Sequence, residues 1–330
     1  MIASDKILSA FVISLDFELF WGVADTAELK AYGPNVEGEW EAVPAMLALF
    51  RRYQVRATWA TVGMAMCRDY RQWESLRPAV MPAYRNPRLS AYHHADMARA
   101  HPKLFFARPL VEQVLETPGQ ELASHTYSHY LCGEEGASRE QFCADMACAV
   151  HIAADLGAGL HSLVLPRNQV RASYLNALPA LGIRVFRGNA DHWLYRNGHA
   201  APGGLAGRVA RLADAWLPMR SATVRSAKLE NGLVDVPASL FLRPWSRRLA
   251  RLEPLRMHRL RTAMTEVARR DGIFHLWWHP HNFGINREEN LQVLENVLQH
   301  YAMLRDGIGM QSVTMRDFEQ SQDKPAFQHP

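Results

Sequence analysis

The chain has 330 residues, 48% apolar and 21% charged, with a formal charge of +4. That is enough apolar material for a sizeable core, and it confines expected disorder to the polar tail after Phe318. The charge is modest and its make-up lopsided, arginine outnumbering lysine; the balance does not suggest a nucleic-acid binder, for which a pI above about 9 with a clustered basic face is expected. The four cysteines, Cys67, Cys132, Cys143 and Cys148, form no C-x-x-C pair and suggest neither a disulfide framework nor a zinc ribbon. No early leader pattern is evident, and no apolar run reaches the roughly 18–20 residues that span a bilayer. The expected location is cytoplasmic.

Strand-like and helix-like segments then alternate, as in a parallel α/β sheet or barrel. "AFVISLDF" reads as a strand, "WEAVPAMLALFRRYQ" as a helix and "VRATWATVG" as a second strand. "RPLVEQVLETPG" is a helix stopped by Pro118-Gly119, and "QELASH" is a strand entering a His-rich turn. "REQFCADMACAVHIAADLG" is the clearest amphipathic helix, with Gly157 as its C-terminal stop. "HSLVLPRN", the helix "RASYLNALPALG" and the short strand "IRVFRGN" follow. From about Leu194 to Arg270 the rhythm changes to a flexible stretch and an arginine-rich helical segment, expected to be an insertion or decoration on one catalytic domain. "GIFHLWWHPHNFG" is a late strand, "REENLQVLENVLQHYAMLRDG" a helix and "MQSVTMRDFEQ" a closing strand and cap.

The chemistry-bearing residues gather where strands end. "SLDFELFWG" puts two acids, Asp16 and Glu18, after an apolar strand. "ASHTYSHY" sets His125 and His129 four apart; on one helical turn both imidazoles face the same way, as metal chelation requires. Glu121, nearby in sequence, belongs to the strand and points elsewhere. In a parallel barrel the strand ends meet on one face. Two histidines and one carboxylate there leave open positions on a divalent metal, Zn²⁺ first, with Co²⁺, Ni²⁺ or Mn²⁺ suited to the same donors. The second carboxylate then serves as base toward water. "HLWWHPHNF" places His279 and His281 at another strand end, where a histidine opposite the base protonates a leaving amine. Trp277 and Trp278 read first as packing, with Trp278 carried as a candidate for stacking on a sugar face. Arg167, followed by Asn168, is placed to pair with the base carboxylate; Arg187 is a second candidate for that pairing or for gripping an anionic substrate. Asn168, Arg187, Trp278 and His281 make up the candidate substrate-binding set.

These segments, in this order, resemble the polysaccharide deacetylase (NodB-homology) family, carbohydrate esterase family 4. The resemblance runs from about Ile7 to Phe318 and covers the Leu194–Arg270 stretch poorly. The first motif, commonly T-F-D-D, here reads S-L-D-F-E. The resemblance makes Asp16 the catalytic base and, on the D-x-E pattern of some relatives, Glu18 the metal-ligand acid. The H-[ST]-x-x-H motif is matched by His125, Thr126 and His129, which the resemblance makes metal ligands. The third motif is altered to Pro166-Arg167-Asn168, with Arg167 inheriting the base-orienting role. The late L-x-H-[DP] motif is approximated by Leu276 through Pro280, which read L-W-W-H-P, and favours His279 as the acid over His281.

The implied fold is a distorted (β/α) barrel with a largely helical insertion in its C-terminal half. The implied activity is metal-dependent removal of an N-acetyl group from an amino-sugar precursor in surface-polysaccharide synthesis, nucleotide- or lipid-linked. The arginine-rich Arg243–Arg261 stretch is read first as a solvated helix face and second as a contact for substrate phosphates or a membrane surface. Alternatives are a deformylase or an allantoinase-like amide hydrolase on the same metal site, or a barrel that binds glycan without catalysis. No nucleic-acid partner is expected, and the sequence leaves the oligomeric state open.

Overall fold

The computed structural model describes residues 9–189, 227–230 and 232–320. The strands are β1 (Ala10–Phe17), β2 (Ala57–Thr61), β3 (Gln120–Ser124), β4 (Ser162–Leu163) and β5 (Val185–Phe186). They continue with β6 (Lys228–Glu230), β7 (Leu233–Asp235), β8 (Leu240–Phe241), β9 (Ile273–Trp278) and β10 (Gln311–Val313). Their order in the sheet is β6-β7-β5-β4-β3-β2-β1-β9-β8, with β10 against the start of β1. Only β6 runs antiparallel to its neighbour, so the eight strands from β7 round to β8 form a curled parallel array. This is the distorted (β/α) barrel that the resemblance implies, and its parallel strands agree with the alternating pattern.

β7 and β8 are two ends of one extended run. Val236 and Ala238 donate their N–H groups to the carbonyls of Phe186 and Gly188, beside β5. Ser239 and Leu242 then donate to His275 and Trp277 of β9. The run changes partner between Ala238 and Ser239 and links the two ends of the array. The stretch from about 194 to 270, expected to be an insertion or decoration, contains the barrel strands β7 and β8 and the helix Glu253–Ala268, which leads back to β9. Residues 194–226 of that stretch lie outside the described residues, as does the tail after 320.

Strand alternation explains where the acids go. On β1, Phe11, Ile13, Leu15 and Phe17 pack outward in the large core shared with the helices Leu29–Tyr53 and Arg287–Ile308. Ala10 and Val12 face the other way, into a small lumen cluster with Ala60, Ala123, Val164, Val185 and Val234. With side chains alternating at a period of two, Ser14 and Asp16 continue up that lumen. Glu121 does leave the site: it bonds Thr58 Oγ1 at 2.7 Å and the Arg316 N–H at 3.1 Å.

The helix Leu29–Tyr53 starts well before the expected "WEAVPAML" and contains Pro34 and Pro44. Gly38, one of its two glycines, explains part of that. A Cβ on Gly38 would lie 2.0 Å from the Gly284 carbonyl oxygen, so helix and loop touch backbone to backbone and packing outweighs the local breakers. The helix Arg139–Asp155 is as expected, opened by a Ser138/Gln141 capping box and followed by Gly157 at φ +72°. Among the described residues no helix is long and apolar enough to cross a membrane.

Candidate metal and catalytic centre

Asp16 closes the lumen face of β1, and the chain turns at Glu18 into a short 3-10 helix, Leu19–Gly22. Both acids are buried. Gly22 is fixed by the second of them: a Cβ there would lie 2.0 Å from Glu18 Cδ. The break after "FELFW" therefore makes room for a carboxylate.

His125 and His129 converge on Glu18, each with Nε2 at 3.3 Å from the same oxygen, Oε2. They do not do so on a helical turn, as the four-residue spacing suggests. The segment after β3 is a loop with Thr126 at φ +62° and His129 at φ +54°. Such backbone is uncommon for non-glycine residues and persists where the surroundings impose it. Thr126 Oγ1 accepts the Tyr130 N–H at 2.6 Å, and Ser124 Oγ accepts the Thr126 N–H at 3.0 Å. From the helix Arg139–Asp155, buried Asp145 accepts the N–H groups of Tyr127 at 2.7 Å and Ser128 at 3.0 Å, and the Ser128 hydroxyl as well. Burial pushes the Asp145 carboxyl up to about 6, against these hydrogen bonds.

The donor set fits a divalent metal. One atom each from Glu18, His125 and His129 lies within 4.8 Å of the others, all three residues being buried. His125 Nδ1 is 2.9 Å from the Val164 carbonyl, which only accepts, so Nδ1 carries the proton and Nε2 keeps its lone pair for the metal. Burial holds the His129 pKa below the ordinary histidine value, as a neutral ligand requires. Burial alone would raise Glu18, but His279, His125 and His129 hold it well below the usual carboxylate range.

Asp16 has a different partner. Arg187, buried, donates Nη1 to Oδ1 at 2.7 Å and Nη2 to Oδ2 at 2.8 Å. The same guanidinium donates to Ser14 Oγ at 2.8 Å and Asn168 Oδ1 at 3.0 Å, and lies 4.4 Å from the Trp277 ring centroid. Burial opposes ionisation of Asp16, yet Arg187, His125 and His279 keep its pKa below normal. Arg167, the sequence's first choice for this pairing, bonds Asp25 at 2.5 Å instead. Arg167 and Asn168 adopt successive left-handed conformations, φ +53° and +52°, and while Asn168 meets Arg187, Arg167 goes to Asp25. Behind Arg187, His275 bridges Ser14 Oγ through Nε2 at 2.8 Å and the Val236 carbonyl through Nδ1 at 3.1 Å. The carbonyl fixes the proton on Nδ1, so the Ser14 hydroxyl donates to Nε2 and accepts from Arg187.

His279 stands over both acids, Nε2 being 3.9 Å from Asp16 Oδ2 and 3.7 Å from Glu18 Oε1. His281 stacks parallel on it at 5.1 Å and is buried; burial and then His279 push its pKa down to about 4. The Tyr32 hydroxyl reaches Asn282 Oδ1 at 3.4 Å, which turns Asn282 Nδ2 toward His279 Nδ1 at 3.5 Å. The cavity over the site measures about 400 Å³ and is walled by Trp277, Phe241, Tyr32 and Arg167 beside the acids and histidines. Trp278, the stacking candidate, faces the core against Phe50 and Phe283; Trp277 faces the cavity. The sequence reading missed Ser14, His275, Asp145, Tyr32 and Asn282, which carry no local signature.

No family model matches the chain, and no curated protein matches it. Solved structures do. A Mycobacterium smegmatis protein described as a polysaccharide deacetylase aligns over 99% of this chain and 96% of its own, with TM-score 0.58 and 14% identity. PuuE allantoinase aligns over 96% and 92%, with TM-score 0.57 and 12% identity. A GH57-type branching enzyme from Pyrococcus horikoshii aligns over 96% and 70%, with TM-score 0.55 and 12% identity. The chain thus has the fold of the polysaccharide deacetylases, one that also carries an allantoinase and a branching enzyme, so its chemistry rests on the residues in the cavity.

Proposed function

We propose that the chain is a metal-dependent hydrolase that removes an N-acetyl group from an amino sugar, the substrate being a cytoplasmic precursor of a surface polysaccharide. The observation that carries this reading is the convergence of Glu18, His125 and His129, with Asp16 and His279 facing the same point. A divalent metal on those three residues, Zn²⁺ first and Co²⁺, Ni²⁺ or Mn²⁺ as alternatives, would supply Lewis-acid polarisation of the amide carbonyl and a water more acidic than bulk.

The chain's own residues supply the proton steps. Asp16, held ionised and oriented by the two Arg187 hydrogen bonds, takes a proton from the attacking water. His279, whose Nε2 faces the acids, acts as the acid in its imidazolium form: it passes the Nε2 proton to the departing amine and is left as neutral imidazole. The C–N bond breaks, leaving acetate and a free amino sugar. Trp277 and Phe241 offer an apolar wall to the sugar ring and acyl group. The four cysteines stand as free thiols, which suits a reducing compartment.

The test is acetate release from nucleotide-linked and lipid-linked N-acetylamino sugars, with metal-loaded and chelator-stripped protein. Release that needs metal and vanishes in Asp16→Asn supports the reading. Formate release, or opening of a cyclic ureide, from the same metal-loaded protein moves the acyl assignment to the deformylase or allantoinase-like alternative. Glycan binding without any release replaces hydrolysis with recognition.

A further inference from the structure

The arginine excess is concentrated where the catalytic centre makes no use of it. From Arg243 to Arg261 there are seven arginines and one acid, Glu253. Arg256 is structural: it is buried, donates to Glu253 Oε2 at 3.1 and 2.6 Å, and donates to the Arg243 carbonyl. The Trp245 N–H donates to Asn290 Oδ1 at 2.6 Å and ties the segment to the helix Arg287–Ile308. Arg247, Arg248 and Arg251 are exposed and make no ion pair among the described residues. Beside them Leu252 is 42% and Leu255 45% exposed, with Pro254 exposed between them. A folded, anchored tip therefore presents three guanidinium groups without an ion-pair partner among the described residues, next in the chain to two exposed leucines.

Topology places this tip. β8 ends at Phe241, which lines the cavity, and the helix Glu253–Ala268 returns to the start of β9. Since β8 and β9 are parallel, the segment between Phe241 and Glu253 lies at the end of the barrel that carries the site.

We propose that the tip Arg247–Leu255 docks on an anionic lipid surface and sets the mouth of the cavity against the headgroup layer. Guanidinium groups meet anionic headgroups while Leu252 and Leu255 enter the acyl boundary. A nucleic acid would match the arginines and leave the leucines wet; an apolar protein face would match the leucines and strand the arginines. Given the hydrolase reading, on which this clause rests, the substrate is the lipid-linked precursor and is met at the membrane.

The experiment is co-sedimentation of the full chain with phosphatidylcholine vesicles, with and without phosphatidylglycerol. Binding is expected only with phosphatidylglycerol present, and it weakens as salt rises. At about fivefold per basic residue, the Arg247→Glu/Arg248→Glu/Arg251→Glu variant loses on the order of a hundredfold. Leu252→Ser/Leu255→Ser weakens binding about tenfold or more and leaves the lipid-charge dependence in place. Equal pelleting with both vesicles, none with either, or pelleting untouched by charge reversal overturns the proposal. So does retention on single-stranded DNA that the triple variant loses while vesicles retain nothing. Vesicle binding needs neither metal nor turnover, so its failure leaves the hydrolase reading standing, and failure to release acetate leaves the docking result standing.

Discussion

Asp16 and Glu18 lie two residues apart, yet the fold gives one a guanidinium and the other two imidazoles. On the proposed reading, that division makes Asp16 the base and Glu18 the metal ligand. Gly22 protects it, since a Cβ there would collide with the Glu18 carboxyl. Gly22→Ala is expected to weaken metal binding about tenfold or more with the fold retained, as read by competition with a chromogenic chelator. Arg187→Met leaves Asp16 buried without its cation and is expected to cost about 3–5 kcal/mol in urea unfolding. Adding Asp16→Asn recovers part of that loss; no recovery would mean the cost is lost packing against Trp277. The acids and histidines were legible because their spacing and strand-end position are local. The choice of Arg187 over Arg167 was not, because both arginines follow strands. It depends on two left-handed residues and on Asp25, far off in sequence.

At the scale of elements, the loop that carries His125 and His129 is held from outside itself. Asp145, on the helix Arg139–Asp155, accepts three hydrogen bonds from Tyr127 and Ser128, between the two histidines. Asp145→Ala is expected to lower metal affinity about 10–100-fold while leaving the three donor side chains intact, measured in the same competition assay. The sequence showed the helix and the His pair but not the aspartate joining them; one buried Asp on an amphipathic helix looks like any polar residue. The helix Leu29–Tyr53 gives the converse case. Its glycines and prolines read as breakers, but Gly38 is where the backbone meets the loop carrying His281 and Asn282. A tertiary contact set that boundary, and no local propensity reports it.

For the whole molecule, alternation of strands and helices made the barrel legible, but its closure was not. The run from Leu233 to Leu242 is short, contains Pro237 and changes partner midway. Along that seam His275 is fully buried, and burial, then Arg187, lowers its pKa from 6.5 to about 3. The unfolded chain therefore binds a proton first on acidification. The contribution is complete above about pH 6.5 and is lost as pH falls toward 3. Between pH 7 and 5 the loss is about 2 kcal/mol, so His275→Gln should show a flatter dependence of urea stability on pH across that interval. Equal slopes in the two proteins would remove His275 from the account. The central claim, that the fold assigns Glu18 to the metal and Asp16 to the proton, is met most directly by metal content. Wild type, Glu18→Ala, His125→Ala and Asp16→Asn would be purified and reconstituted in parallel. The account predicts stoichiometric metal in wild type and Asp16→Asn and its loss in the other two. Metal retained in Glu18→Ala but lost in Asp16→Asn, or absent from wild type, would contradict it.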